Sequence, residues 1–167
     1  MKRTQHENKC FKQPEKTIEL RNVGSPLVSS SSNQNEPVKV ILDSNALFVP
    51  LEMKIDIFEE TRNLLMRNVD FVLLSPIKEE LECLASNKSN KTRKEALFAL
   101  KLSEKCRFVA VDNPDKLSTD DLLAKVAKAW NSPVFTNDRQ LRNKLKDISV
   151  PVIYVRQKSR LDIDGLI

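Results

Sequence analysis

The chain has 167 residues, 40% of them hydrophobic and 31% charged, with a formal net charge of +5. This is typical of one globular domain with a core, and the mild excess of base is compatible with a nucleic-acid partner. One histidine, His6 in a polar leader, and three scattered cysteines argue against a Cys/His zinc site, a disulfide framework and histidine-based acid–base catalysis.

Residues 1–36 are polar and contain the serine run Ser29–Ser32, a composition typical of a disordered tail. Within them, Thr17–Val23 is a candidate short strand. We expect no membrane span, because apolar runs such as Phe71–Leu74 are far shorter than the roughly 18 residues that a span needs. The charged N-terminus shows no secretory pattern and the cysteines fit a reducing compartment, so the expected location is the cytoplasm.

From residue 37 to 157, short apolar runs alternate with helical patterns. Five runs predict buried strands: Val38–Leu42, Phe71–Leu74, Arg107–Val111, Pro133–Thr136 and Pro151–Val155. Helical patterns lie around Ile55–Leu65, after Ser75, and over Thr92–Lys105, Ser118–Trp130 and Asp138–Lys146. The alternation predicts a three-layer α/β domain with a central, mainly parallel five-stranded sheet, followed by a short tail at 158–167. Leu97, Trp130 and Tyr154 are expected to pack in the core.

Acidic residues follow each of the first four predicted strands. They are Asp43 after the first strand, Glu80 in the next helix, Asp120 and Asp121 opening the helix after the third strand, and Asp138 after the fourth. Sites in open α/β sheets form beyond these strand ends, and clustered carboxylates repel one another unless a cation neutralises them. Oxygen ligands suit Mg²⁺ or Mn²⁺, which activate water for attack on a phosphodiester. With two glycines in the chain, no glycine-rich phosphate loop is available.

Helix capping is the competing explanation for these acids. A carboxylate in the first turn of a helix is favoured by the helix dipole, so Asp120, Asp121 and Asp138 each have a structural role available. For Glu80, a capping or solvated position explains the residue as well as a functional role does. Asp43 closes a buried strand and is harder to dismiss, so it is the coincidence of acids after four strands that favours a shared site.

The segments VILDSNAL, SPIKEELECL, STDDLLAKVAKAW and VFTNDRQLR resemble the motifs of the PIN-domain nuclease family. The resemblance covers about Val38 to Val155 and is strongest to archaeal PIN proteins, which are related to ribosomal-RNA-processing nucleases and to VapC-type toxins. It implies a Mg²⁺- or Mn²⁺-dependent endoribonuclease that cuts single-stranded RNA. The implied partners are RNA and either an antitoxin or a ribosome-assembly partner, and a homodimer stays open.

Single positions of this sequence match the motif residues of the family. The resemblance implies that the catalytic and metal-binding acids are Asp43, Glu80, Asp120 and Asp138, with Asp121 open as an alternative or additional ligand. Asn45 and Thr136 match positions that orient these acids. The main alternative is a PIN fold used as an RNA-binding or assembly scaffold with weak or no cleavage. A response-regulator receiver is disfavoured, because a single acid follows the first strand.

Basic residues in three segments are candidates for RNA contacts through phosphates. They are Arg139, Arg142 and Lys146 on one face of the last predicted helix, Lys91 and Arg93 in a polar loop after the Glu80 helix, and Arg156, Lys158 and Arg160 beyond the last predicted strand. Solvated surface explains each group equally well from the sequence alone.

Overall fold

The computed structural model describes residues 36–167, and the candidate strand Thr17–Val23 lies outside them. In this part of the chain six strands form one sheet: β1 (Val38–Leu42), β2 (Val69–Leu74), β3 (Arg107–Val109), β4 (Val134–Phe135), β5 (Val152–Arg156) and β6 (Arg160–Asp164). Their order is β3-β2-β1-β4-β5-β6, parallel throughout except for the antiparallel β5–β6 pair. The predicted α/β fold with a mainly parallel sheet is confirmed, with six strands rather than five.

Helices cover both faces of this sheet. The described residues form a 3₁₀ helix, Ser44–Phe48, and the helices α1 (Val49–Met53), α2 (Ile57–Leu65), α3 (Ser75–Ala85), α4 (Asn90–Ser103), α5 (Thr119–Trp130) and α6 (Arg139–Asp147). Phe58 of α2 packs edge-on against Phe71, with ring centroids 4.8 Å apart. Arg142 of α6 packs on Tyr154, whose side chain projects from the opposite face of the sheet. The helices therefore form two layers with the sheet between them.

The residues at the centre of the sheet are apolar and buried. Residues 40–42 of β1 are fully buried, because β1 has a strand on each side and helices on each face. Leu141 and Leu145, four residues apart on α6, are also buried, each contributing about 1.5–3 kcal/mol to stability. This packing fixes the ends of β1 and β4 beside each other.

β6 occupies residues that the sequence analysis assigns to the 158–167 tail. Leu161 is buried and Ile163 half-buried, in strict alternation with charged residues. Gln157 and Lys158 form the turn before β6 with φ values of 52° and 55°. This left-handed geometry matches the twist of a hairpin but is usually marked by Asn or Gly, which are missing here. The sequence does not predict this strand, because the turn before it carries no such signal.

Two side chains expected in the core lie at the surface. Leu97 is 53% exposed, because α4 packs through Ala96 and Ala99 on another part of its circumference. Trp130 is 37% exposed, since it is the last residue of α5. None of the helices within residues 36–167 is long and apolar enough to cross a membrane.

Candidate active site

Asp43 is the buried centre of a polar cluster at the carboxyl ends of β1 and β4. Its backbone N–H donates to the Phe135 carbonyl at 3.1 Å, which continues the β1–β4 ladder to the end of both strands. The Asp43 residue is only 5% exposed. Its Oδ1 accepts from the Ser44 N–H at 2.7 Å. Its Oδ2 accepts from Asn45 Nδ2 at 2.5 Å and from Thr136 Oγ1 at 2.8 Å, so both oxygens are held in place.

Thr136 joins Asp43 to the start of α6. The Thr136 side chain is fully buried, and its hydroxyl donates to Asp43 while accepting from the Asp138 N–H at 3.1 Å. Asn45 Nδ2 also donates to Thr136 Oγ1 at 3.1 Å. These contacts place Asn45 and Thr136 where they orient the Asp43 carboxylate, as the family pattern implies.

Asn137 belongs to the same network, and sequence reasoning missed it. Its N–H donates to Asn45 Oδ1 at 2.9 Å, and its own Oδ1 accepts from the Val155 N–H at 2.8 Å. Asn137 therefore ties the ends of β4 and β5 to the 3₁₀ helix after β1. The one available signal is that it lies between Thr136 and Asp138 in a polar triplet directly after a buried strand.

Glu80 and Asp120 act on Asp43 from two other elements. Ser44 Oγ donates to Glu80 Oε1 at 3.2 Å, which connects α3 to the cluster. Burial is the largest influence on the pKa of Asp43 and raises it, whereas hydrogen bonds from Thr136 and the Ser44 N–H lower it. The charges of Glu80 and Asp120 raise it again, and the resulting pKa of Asp43 is about 6. The charges of two of the predicted acids thus act on the third, Asp43.

The neighbouring Asp121 has a different role. Its N–H donates to Ser118 Oγ at 3.2 Å and its Oδ2 accepts from Ser118 Oγ at 2.5 Å, which caps α5. It also forms an ion pair with Lys144 of α6. Lys144 and Ser118 hold the pKa of Asp121 below its usual value. Because Asp121 is engaged in these contacts, Asp120 is the better candidate for the acid that α5 contributes to the cluster.

Asp138 is both a capping residue and a neighbour of the cluster. Its Oδ1 accepts from the Gln140 N–H at 2.7 Å and from the Leu141 N–H at 3.4 Å, so it caps α6. The capping role considered from the sequence is present. Its own N–H bonds Thr136, which keeps Asp138 beside the buried carboxylate.

The donor set of this cluster fits a hard divalent cation. Within residues 36–167, no three His, Cys, Asp or Glu side chains are close enough to make a ready ligand group. The donors are nevertheless of the right chemistry, because a buried carboxylate with further carboxylates acting on it is stabilised by Mg²⁺ or Mn²⁺. The residues that could hold the ion are Asp43, Glu80, Asp120 and Asp138.

Two of the three groups of predicted RNA contacts lie on helices. Arg139, Arg142 and Lys146 lie on α6, whose N-cap is Asp138, and Lys146 forms an ion pair with Asp164. Lys91 and Arg93 lie in the first turn of α4 and not in the predicted loop, because the helix starts at Asn90.

Replacing Thr136 by Val tests the buried network. We expect Thr136→Val to lower the free energy of unfolding at pH 7 by about 1–3 kcal/mol, because Asp43 loses a donor that burial does not let water replace. Thr136→Ser keeps the hydroxyl and should cost less. Urea unfolding of both variants measures the difference; equal stability would contradict the role of the hydroxyl.

Comparison with known proteins identifies relatives along nearly all of the described chain. The PIN-like domain family matches residues 40–158. Ribonuclease VapC4 of Methanocaldococcus jannaschii is 32% identical over 129 residues, 77% of this chain and 98% of that protein. Ribonuclease VapC9 of Archaeoglobus fulgidus is 26% identical over 140 residues, 83% of this chain and 99% of that protein.

Solved structures share the same fold. The PIN domain endonuclease Utp24 superposes with a TM-score of 0.66 at 22% identity, over 78% of this chain and 94% of that one. A domain of a functionally unknown protein from Methanocaldococcus jannaschii gives a TM-score of 0.54 at 19% identity, over 78% and 99%. The family match spans all the acids of the cluster and confirms the resemblance read from the motifs, so the chain belongs to the PIN-like domain family.

Proposed function

We propose that the protein is a divalent-metal-dependent endoribonuclease that hydrolyses phosphodiester bonds of single-stranded RNA. The observation that carries the proposal is the buried Asp43 carboxylate, held by three hydrogen-bond donors at the strand ends with Glu80 and Asp120 acting on it. Two relatives that align over nearly their whole length are named ribonucleases, which supports RNA as the substrate.

The residues of the cluster have distinct tasks in this reaction. Asp43, Glu80, Asp120 and Asp138 would hold Mg²⁺ or Mn²⁺. Such an ion lowers the pKa of a bound water and stabilises charge on a phosphodiester. Asn45 and Thr136 donate to Oδ2 of Asp43 and the Ser44 N–H donates to Oδ1, so the carboxylate is oriented in advance and needs little reorganisation on binding the ion. Ser44 restrains Glu80 through the 3.2 Å hydrogen bond.

Two biological roles are compatible with this chemistry. The two named relatives support a VapC-like toxin, with an antitoxin as the partner. Ribosomal RNA processing uses the same cleavage reaction and would require an assembly partner instead. A scaffold that binds RNA without cutting it is the alternative that the cleavage experiment separates.

Asp120 and Asp121 offer a matched pair for testing the proposal. We expect Asp120→Asn to slow cleavage of a labelled unstructured RNA at least about tenfold, because it removes a carboxylate that acts on Asp43. Asp121→Asn should keep cleavage within about twofold of the unchanged protein, since Asp121 is occupied by Ser118 and Lys144. Its melting temperature should fall, because the ion pair with Lys144 and the negative charge in the first turn of α5 are lost.

The assay compares Mn²⁺, Mg²⁺ and EDTA for each protein. Cutting that needs a divalent ion and depends on Asp120 supports the nuclease. Metal binding without cutting by the unchanged protein would favour the scaffold, and loss of cutting in Asp121→Asn alone would exchange the roles of the two acids.

A further inference from the structure

We propose that Arg142, Arg156 and Arg160, grouped around Tyr154, form an arginine face that binds the backbone of single-stranded RNA beside the cleaved bond. The inference deepens the proposed function and rests on it for the identity of the nucleic acid. It assigns one continuous binding surface to residues that the sequence places in separate segments.

The register of β5 and β6 brings these residues together. Tyr154 lies directly opposite Asp162, and Arg156 lies directly opposite Arg160. Opposed residues of an antiparallel pair project from the same face. The Arg142 guanidinium carbon lies 3.6 Å from the centroid of the Tyr154 ring, so α6 adds a third arginine to that face.

The arginine face has more positive charge than its own carboxylates neutralise. Arg156 Nη1 is 2.8 Å from Asp162 Oδ2. Arg160 forms no ion pair within residues 36–167, although its charge helps Arg156 to lower the pKa of Asp162. Like charges directly opposite each other destabilise a strand pair, and an anion bound between them removes that repulsion. A phosphate is therefore a fitting ligand for the Arg156–Arg160 pair.

The arginine face lies next to the acid cluster. The Val155 N–H bonds the side chain of Asn137, which directly precedes Asp138. Neighbouring strands are about 4.8 Å apart, so β5 and β6 are the next two steps across the sheet from β4. A chain with one phosphate at the acid cluster would meet the arginine face with the following phosphates.

Tyr154 holds Arg142 in a form suited to this ligand. The ring supports the flat face of the guanidinium group, which leaves the N–H groups at its edge for a phosphate. The stack also fixes the side chain before RNA binds, which reduces the ordering cost. Three planar donors of this kind match the charged oxygens of a phosphodiester backbone, which a guanidinium group can bind with two N–H groups at once.

Fluorescence anisotropy with a labelled oligouridine in EDTA tests the proposal without catalysis. We expect Arg160→Gln to weaken binding about tenfold. The double variant Arg156→Gln/Arg160→Gln should also reduce the slope of log affinity against log salt by about 1.4, or about 0.7 for each lost phosphate contact. Arg67→Gln is the matched control, because Arg67 is exposed at the opposite end of the sheet, before β2. Its affinity should stay within about twofold.

The stability of Arg160→Gln separates binding from structure. Because this change removes both the repulsion by Arg156 and an attraction to Asp162, its melting temperature should stay close to that of the unchanged protein while its RNA affinity falls. Equal loss of affinity in Arg67→Gln, or an unchanged salt slope, would overturn the proposal. The proposal would also fail if the arginine variants weakened the binding of polyglutamate and left the affinity for RNA unchanged. If the unchanged protein cuts no RNA in Mn²⁺ yet Arg160→Gln still weakens binding, the arginine face stands and the nuclease proposal falls.

Discussion

We expect Asp43→Asn to reduce the rate of metal-dependent RNA cleavage at least about a hundredfold. Asn has nearly the same volume and keeps a carbonyl oxygen for Thr136, but it has no charge with which to hold a divalent ion. Among the four predicted acids, Asp43 is the buried one, held by donors on both oxygens. Single-turnover cleavage of a 5′-labelled unstructured RNA in Mn²⁺ measures the effect.

Asp115→Asn is a suitable control for this experiment. Asp115 is exposed and pairs with Lys125 at 2.8 Å, so the control makes the same chemical change in a surface ion pair. We expect its cleavage rate to stay within about twofold. If Asp43→Asn cuts RNA as fast as Asp115→Asn, Asp43 is not a ligand of the catalytic ion.

Much of the fold is predictable from local patterns. The run VKVIL has no polar break except Lys39, and a strand buried on both faces needs such a run. Ser118 before an acidic first turn predicts the start of α5, and the structure has Ser118 as its N-cap. These features depend on neighbours in sequence, which is why they can be read without the fold.

The edges of the fold are less predictable. β6 follows a turn in which Gln157 and Lys158 adopt positive φ without Gly or Asn, so the usual hairpin signal is missing. Its alternation of Leu161 and Ile163 with charged residues is short and resembles a polar tail. An edge strand buries one face only, and its pattern is correspondingly weak.

The candidate site shows the same division. The acids could be predicted, because each follows a strand at the edge where sites form in α/β sheets. The hydrogen bonds of Asn137 with Asn45 and Val155 join residues up to 92 positions apart. Such contacts depend on how three strand ends meet. The contact between Arg142 and the Tyr154 ring is likewise tertiary, so the sequence pattern alone predicts Tyr154 only as a core residue.

The second large effect concerns stability: the free energy of unfolding of the metal-free domain is expected to fall as the pH rises to 7, and Asp43→Asn is expected to remove this fall. The pKa of Asp43 rises from its ordinary 3.8 to about 6 on folding. Between these two values the folded state holds its proton more tightly than the unfolded state. Protonated Asp43 therefore favours the folded state. This contribution to the free energy of unfolding is complete below about pH 3.8 and is lost as the pH rises through about 6. The loss corresponds to about 3 kcal/mol, and Asn avoids it because it does not ionise.

Urea unfolding in EDTA between pH 4 and pH 7 measures this effect. The free energy of unfolding of the unchanged protein should decline across this range relative to that of Asp43→Asn. Mn²⁺ at about a hundred times its dissociation constant should then stabilise the unchanged protein by about 2.7 kcal/mol and leave the variant unaffected. Parallel pH dependence in the two proteins would contradict a raised pKa at Asp43. A charge that weakens the empty domain and is relieved by a cation is the energetic pattern of a binding site, which a carboxylate kept only for capping would not produce.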